Sequence, residues 1–417
     1  MPGMGESDGR RILSALAELD GGPELLELGR SGGGLALVGG AVRDLLLGSR
    51  PRELDVLVPR DAAGFAARLA RLLGERAGTP PQVTAHERFG TAAVQWPTGR
   101  VDIAERRAES YPSPGALPEV RPGSELEDLQ RRDFTVNAIA VSLQTGEVSA
   151  VEHALEDLAA GRLRVLHDAS FVDDPTRLMR LARYSARLGF DPEPHTAELA
   201  RTALSDGAMG TLSLARAGSE LRLALAEAAA TASLRAMSDL GVLHAIDPIL
   251  DFDPRVAHDA LALLPGDGRT DVLLLACLLP RSRSDAPQAL ALLEGMEIPA
   301  AERDRAIAAA AGARELAEDL ARAASPSELM RAARPSTAEA LALAGAGGGP
   351  GALAAARRWL GGLRDVRLSI GGEDLLAAGI ASGPEIGRRL DLALERLLDG
   401  EISGGRQSEL TAALEGS

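Results

Sequence analysis

The 417-residue sequence contains no lysine, so all 45 of its basic side chains are arginine. It contains one cysteine, Cys277, which excludes an internal disulfide framework, and nothing around it suggests a thiolate metal site. No apolar run approaches the roughly 20 residues that a bilayer-spanning helix needs. The first residues, MPGMGESDGRRILSALAELDGG, lack the apolar core and small-residue cleavage site of a secretion signal, so the expected address is cytoplasmic. An excess of positive charge is also missing. The 45 basic residues face 60 acidic ones, a net charge of −15, which argues against nucleic-acid binding through bulk charge. The abundance of Ala, Gly, Leu and Arg matches the codon bias of a GC-rich genome, so total composition carries little functional weight. Arginine is nevertheless the side chain best shaped for two-pronged contact with phosphates and base edges. The positions of the arginines therefore matter more than their number.

A chain of this length holds roughly two to four domains with a sizeable core. Two regimes are visible. Up to about residue 150, strand-like runs at 35–38, 54–58, 91–95, 100–104 and 135–142 alternate with helical patterns such as 62–73, which predicts an α+β or α/β head. From about residue 151 the pattern is amphipathic helix, broken at Pro192, Pro248, Pro265, Pro280 and Pro299. The glycine-rich GAGGGPG at 345–351 reads as a linker before a last helical segment.

Residues with chemical potential concentrate in the head. LALVGGAVRDLLLG is an apolar strand, a double glycine (Gly39, Gly40) and a helix carrying Arg43 and Asp44. Glycines at such a turn let backbone amides approach a phosphate, although a tight turn without a ligand has the same sequence. Glu53 and Asp55 in RELDVLV are two apart, so on a strand both carboxylates project from one face. A solvated strand edge has this pattern, and so does a pair of Mg²⁺ ligands for in-line phosphoryl transfer. Asp102 in GRVDIAERR adds a third acid on a second short strand. Further on, DLQRRDFTVNAIAV places Arg131, Arg132 and Asp133 just before an apolar run. Such a cluster can hold a triphosphate and a ribose, or can simply cap a strand. In FVDDPTRLMRLARYSARLGF, Asp174 is suited to cap a helix that has Pro175 at its first position. Arg177, Arg180, Arg183 and Arg187 then share one face, either solvated or, with Asp174, able to pair with a base edge.

GGAVRDLLLG…ELD, RRDFTVNA and DDPTRLMRLARY, in this order and spacing, resemble the class II tRNA nucleotidyltransferases and the related bacterial poly(A) polymerases. AESYPSPGALPEV, RVLHDASFVDDPTR and residues 372–402 extend the resemblance to essentially the whole chain from about residue 33. The resemblance implies a polymerase-beta-like nucleotidyltransferase head, an α+β fold with a mixed sheet and helices, followed by an all-α neck, body and tail that cradle tRNA. The implied segments are an N-terminal helical segment (1–30), the head (31–150), a neck (151–230), a helical body with a degenerate HD-like pattern (231–340) and a tail (341–417). Glu53, Asp55 and Asp102 would hold Mg²⁺. Gly39, Gly40, Arg43 and Asp44 would lie at the triphosphate, and Arg131, Arg132 and Asp133, with Asn137 in the same motif, at the ribose and phosphates. Asp174 and Arg177, with Arg180 and Arg183 on the same helix, would select the incoming C or A. Arg216 and Glu220 would support them from the neck.

The implied reaction is addition of C, A or both to the tRNA 3′ end from CTP and ATP without a nucleic-acid template. Addition of the terminal A alone, poly(A) synthesis, and a non-catalytic RNA-binding relative are the alternatives. No membrane and no protein partner is implied. Two departures stand out. Glu53 occupies a position where the family usually has aspartate. In 253–283, His258 remains, but Pro280 and Arg281 replace the His-Asp pair of an HD phosphohydrolase, so this segment is expected to serve packing alone.

Overall fold

The computed structural model describes residues 4–86 and 90–415. The chain divides into two compact units, Met1–Leu212 and Ser213–Ser417. The first is a mixed sheet with helices and the second is helical; the change of pattern near residue 150 falls inside the first unit, where helices predominate after the sheet.

Two helices, α1 (Met4–Ala17) and α2 (Gly22–Arg30), precede the sheet. Nine strands follow in the first unit's head: β1 (Ala36–Val38), β2 (Leu54–Val58), β3 (Gln82–His86), β4 (Thr91–Trp96), β5 (Gly99–Glu105), β6 (Arg107–Ser110), β7 (Glu119–Pro122), β8 (Ile139–Ser142) and β9 (Val148–Ala150). The order β3-β4-β5-β2-β1-β8-β9 forms a seven-stranded sheet, while β6 and β7 form a separate hairpin. Pairing is antiparallel along the large sheet except between β2 and β5, which run parallel. A parallel pair needs a crossover, supplied here by α4 (Ala62–Ala77) and the β3–β4 hairpin.

Alternation along the strands builds two faces. Leu54 and Val56 of β2, with Val101 and Ile103 of β5, are buried on one. On the other, Leu57 joins a core with Ala36, Val38, Leu129, Ala138 and Ala140, against which Ala104 packs. Asp55 shares that second face with Leu57, two residues away.

The run at 135–142 is not a single strand. It opens as one 3₁₀ turn, Thr135–Asn137, and becomes extended only at Ile139. Polar side chains dictate this: Thr135 Oγ1 donates to Asp157 (2.8 Å), and the Asn137 amide donates to Asp133 (2.9 Å). Helix α5 (Glu125–Gln130) precedes β8, and after the sheet come α6 (Ala154–Ala160), α7 (Ser170–Asp173) and α8 (Thr176–Leu188). Asp174 is extended (φ −136°) and Pro175 is already helical (φ −62°). Asp174 Oδ1 accepts the Thr176 N–H at 3.0 Å, as expected of a cap.

In the second unit the glycine-rich segment is no extended linker. Helices Ala338–Gly347 and Gly349–Leu360 pack directly against each other, and a Cβ on Gly345 would stand 2.5 Å from that of Ala356. Small residues thus let the two backbones approach. A separate cluster of Ile370, Leu375, Ala393, Ala412 and Ala413 gathers the last helices. His258 is exposed on Pro254–Leu263, while Cys277 is buried, its thiol pushed up to about 12 by burial. Among the described residues, no helix is long and apolar enough to cross a membrane.

Candidate active site

The parallel register of β2 and β5 sets Asp55 directly opposite Asp102. Glu53 lies one residue before β2, outside the ladder and exposed, where its longer side chain still reaches the pair. Ligand oxygens of Glu53, Asp55 and Asp102 lie within 4.8 Å of one another, and among the described residues this is the one group of three or more potential metal ligands. Three carboxylates so close repel unless a cation joins them. The Asp55 carboxyl is pushed up to about 7, first by burial, with Arg132 opposing and the charges of Glu53 and Asp102 adding to the rise. An all-oxygen, acidic donor set of this kind fits a hard divalent cation. Arg100 partly neutralises the cluster through a two-pronged pair with Asp102, Nε to Oδ2 at 2.8 Å and Nη2 to Oδ1 at 2.7 Å.

The double glycine ends β1 and opens α3 (Gly40–Leu46). Gly39 has φ +68° and ψ −134°, a backbone conformation that only glycine adopts without strain. Its missing Cβ also makes room for Arg132, whose Nη1 would lie 2.5 Å from that atom. Arg132 thereby sits beside the turn while acting on Asp55.

The remaining charged residues of the motifs form one interior network rather than a solvated edge. Arg43 is 2 % exposed and donates to Asp44 Oδ1 (2.9 and 2.7 Å) and to Asn137 Oδ1. Asp44 in turn accepts from Arg187 Nη2 at 3.1 Å, which ties α3 to α8. Asp133 is buried, accepts the Phe134 N–H and the Asn137 amide, and forms an ion pair with Arg180 Nη2 at 2.7 Å. Burial opposes its ionisation, but Arg180, Asn137, Arg177 and the Phe134 N–H together hold the carboxyl below its ordinary range. Asp128 is fully buried beneath Arg131 (2.9 Å) and Arg132 (3.3 Å), and Glu109 takes a second bond from Arg131 (3.0 Å). The guanidinium of Arg131 is therefore held by acids, and its carbonyl accepts Arg177 Nη2 at 2.9 Å.

The arginine face of α8 points inward. Arg177 and Arg183 are buried and Arg180 and Arg187 are half-buried, because Asp133 and Asp44 of the head supply their counter-charges. Arg177 Nη1 is buried without a hydrogen-bond partner, three residues beyond Asp174. Tyr184 stacks under the guanidinium groups of Arg183 (4.9 Å), Arg43 (5.5 Å) and Arg180 (5.9 Å) and meets Phe134 edge-on. Arg216 and Glu220 lie in Leu214–Leu225 of the second unit, with Glu220 buried.

Arg100, Glu109, Asp128 and Tyr184 contact the motif residues and are passed over by the motif reading. Two of them have a sequence signal. Arg100 and Asp102 are two apart on one strand, and Asp128 precedes Arg131 and Arg132 by three and four residues at a helix end. Glu109 has none for its bond from Arg131, 22 positions away, and Tyr184 none for its contact with Arg43.

The Poly A polymerase head domain family matches residues 35–164. The CC-adding tRNA nucleotidyltransferase of Deinococcus radiodurans is 34% identical over 85% of this chain and 82% of its own length. The A-adding tRNA nucleotidyltransferase of Geobacter sulfurreducens is 42% identical over 55% of this chain, which spans only 26% of that relative. The A-adding counterpart from Halalkalibacterium halodurans is 39% identical, and 50% of its length is spanned. Among solved structures, a CCA-adding enzyme in apo form superposes with a TM-score of 0.78 at 26% identity, covering 96% of this chain and 98% of that one. The Thermotoga maritima CCA-adding enzyme complexed with tRNA gives 0.78 at 25% identity, with 97% of both chains covered.

Proposed function

Because the chain belongs to the tRNA nucleotidyltransferase family, we propose that it extends the 3′ end of tRNA with C, A or both, using CTP and ATP and no nucleic-acid template. The observation that carries this reading is the β2–β5 register, which sets Asp55 against Asp102 with Glu53 in reach. In the reaction the tRNA 3′ hydroxyl oxygen bonds to the α-phosphorus, the bond to the β-phosphate oxygen breaks, and pyrophosphate leaves. Glu53, Asp55 and Asp102 would hold Mg²⁺, whose charge would activate the attacking hydroxyl and offset charge on the leaving group.

The chain's own residues do the rest by position. The Gly39–Gly40 turn gives the polyphosphate a close backbone approach, and Arg132 stands beside it. Arg177, fixed through the Arg131 carbonyl, keeps Nη1 for a base edge, and Asp174 supplies an acceptor at the helix start. Arg43, Asp44, Asp133, Asn137, Arg180 and Arg183 act through their neighbours, holding α3 and α8 in register. We place residues 31–150 as head, 151–230 as neck, 231–340 as body and 341–417 as tail, after the N-terminal helices of 1–30. The cytoplasm is the proposed site of action.

Partial addition is the second reading, supported by relatives named A-adding and CC-adding. The test offers CTP, ATP or both to purified protein with Mg²⁺ and three tRNAs: one lacking all of CCA, one ending in the first C, and one lacking only the final A. Extension of all three to CCA is expected of a complete enzyme. Extension of only the last, by A, or only of the first two, by C, assigns a partial activity. Extension of none contradicts the proposal.

A further inference from the structure

Among the described residues outside the motifs, Arg100 touches the acidic cluster directly. Arg100 stands two residues before Asp102 on β5, so both project from the same face of the strand. Its guanidinium engages both Asp102 oxygens, at 2.8 and 2.7 Å. The β2–β5 register pairs Leu54 with Val101, which sets Arg100 beside the position of Glu53 as well. A carboxylate whose two oxygens are both taken by a guanidinium has its best acceptor directions filled. A cation that takes one of those directions has to displace the guanidinium. At the same time, Arg100 is 47% exposed, so its pair with Asp102 is close to solvent and can open without leaving a buried charge behind.

We propose that Arg100 is a resident counter-cation of the acidic triad, latched on Asp102 while the metal site is empty and displaced when a divalent cation enters. The inference rests on the reading of Glu53, Asp55 and Asp102 as a metal site. The latch has two consequences. It holds the three carboxylates together in the metal-free protein, and it competes with metal, which raises the metal concentration needed to fill the site. Arg132 does not duplicate it, because Arg132 is held by Asp128 and the Asn137 carbonyl.

The test measures Mn²⁺ binding to the full-length protein by the electron paramagnetic resonance signal of free Mn²⁺, and Mg²⁺ binding by calorimetry. Wild type is compared with Arg100→Gln and Arg100→Lys. Gln removes both the charge and the latch, whereas Lys keeps the charge but lacks the planar fork that grips two oxygens. The expected result is metal binding about fivefold tighter in Arg100→Gln, the scale of one exposed ion pair. Arg100→Lys is expected to tighten binding by about half that factor or more on a logarithmic scale. Melting of the metal-free Gln variant should also begin at a lower temperature than wild type, and saturating Mg²⁺ should remove that difference. Unchanged affinity in Arg100→Gln overturns the latch. Tighter binding in Gln with wild-type affinity in Lys also overturns it, because charge alone then explains the effect. A wild-type protein that binds neither cation fails the triad reading itself, a result distinct from either.

Discussion

The two glycines of the turn between β1 and α3 look alike in sequence, yet the structure assigns them opposite tolerances. Gly39 has φ +68° and ψ −134°, and a Cβ there would stand 2.5 Å from Arg132 Nη1. Gly40 is the first residue of α3, and its Cβ would meet nothing closer than Arg43 Nη2 at 3.5 Å, an ordinary contact. For Gly39→Ala the backbone alone costs about 1–3 kcal/mol. The clash adds to this by pushing Arg132 away from its place beside Asp55. Gly40→Ala should be neutral, or stabilising by a few tenths of a kcal/mol up to about 1, because alanine narrows the unfolded ensemble. For a unit of 212 residues, each kcal/mol shifts the melting temperature by roughly 2–4 °C. Differential scanning calorimetry should therefore show Gly39→Ala melting about 2–12 °C below wild type and Gly40→Ala within about 2 °C of it or above. Nucleotide incorporation by Gly39→Ala should fall as well, since Arg132 is displaced. Equal melting temperatures for the two variants would refute the reasoning.

Two further outcomes follow from the charged interior. Asp128 is fully buried and faces Arg131 and Arg132, so Asp128→Asn should lower stability by about 2–4 kcal/mol in urea denaturation; a loss under about 0.5 kcal/mol contradicts its role as their anchor. Asp55 titrates near 7, above the ordinary carboxylate value of about 4, so the folded protein keeps a proton that the unfolded chain has lost. Metal-free stability should then fall as pH rises across that interval, and a cation that displaces the proton should stabilise more at its upper end. Melting curves with Mg²⁺ and with chelator, from about pH 5 to about pH 8, test this, and a pH-independent Mg²⁺ effect would contradict it.

Much of this site was legible in the sequence because its chemistry is local. Glu53 and Asp55 are two apart, Gly39 and Gly40 mark a strand-to-helix turn, and Asp174 with Pro175 announces a helix start. What the residues alone left open was whether these charges were solvated. Arg131, Asp133 and the arginine face of α8 read equally well as surface clusters. They are interior because Asp133 meets Arg180 and Asp44 meets Arg187 across 47 and 143 positions, pairings that no spacing rule reports. The mixed sheet followed by helices was visible in the change of periodicity near residue 150. The edge strand β3 and the β6–β7 hairpin were not, since β3 is exposed along its whole length and β7 likewise. The glycine-rich run at 345–351 misled for the opposite reason: glycine that permits a loose linker also permits two helices to touch.

The central claim is that Glu53, Asp55 and Asp102 form the centre at which a nucleotide is joined to the tRNA 3′ end. Its most direct test is incorporation of labelled CMP and AMP into tRNA lacking CCA, comparing wild type with Asp55→Asn, each checked for folding by its metal-free melting temperature. Because burial and like charge disfavour ionised Asp55, the variant should melt at or above the wild-type temperature without metal. It should nevertheless incorporate neither nucleotide above background, while wild type incorporates at least one of them. A folded Asp55→Asn protein that extends tRNA at the wild-type rate would contradict the account.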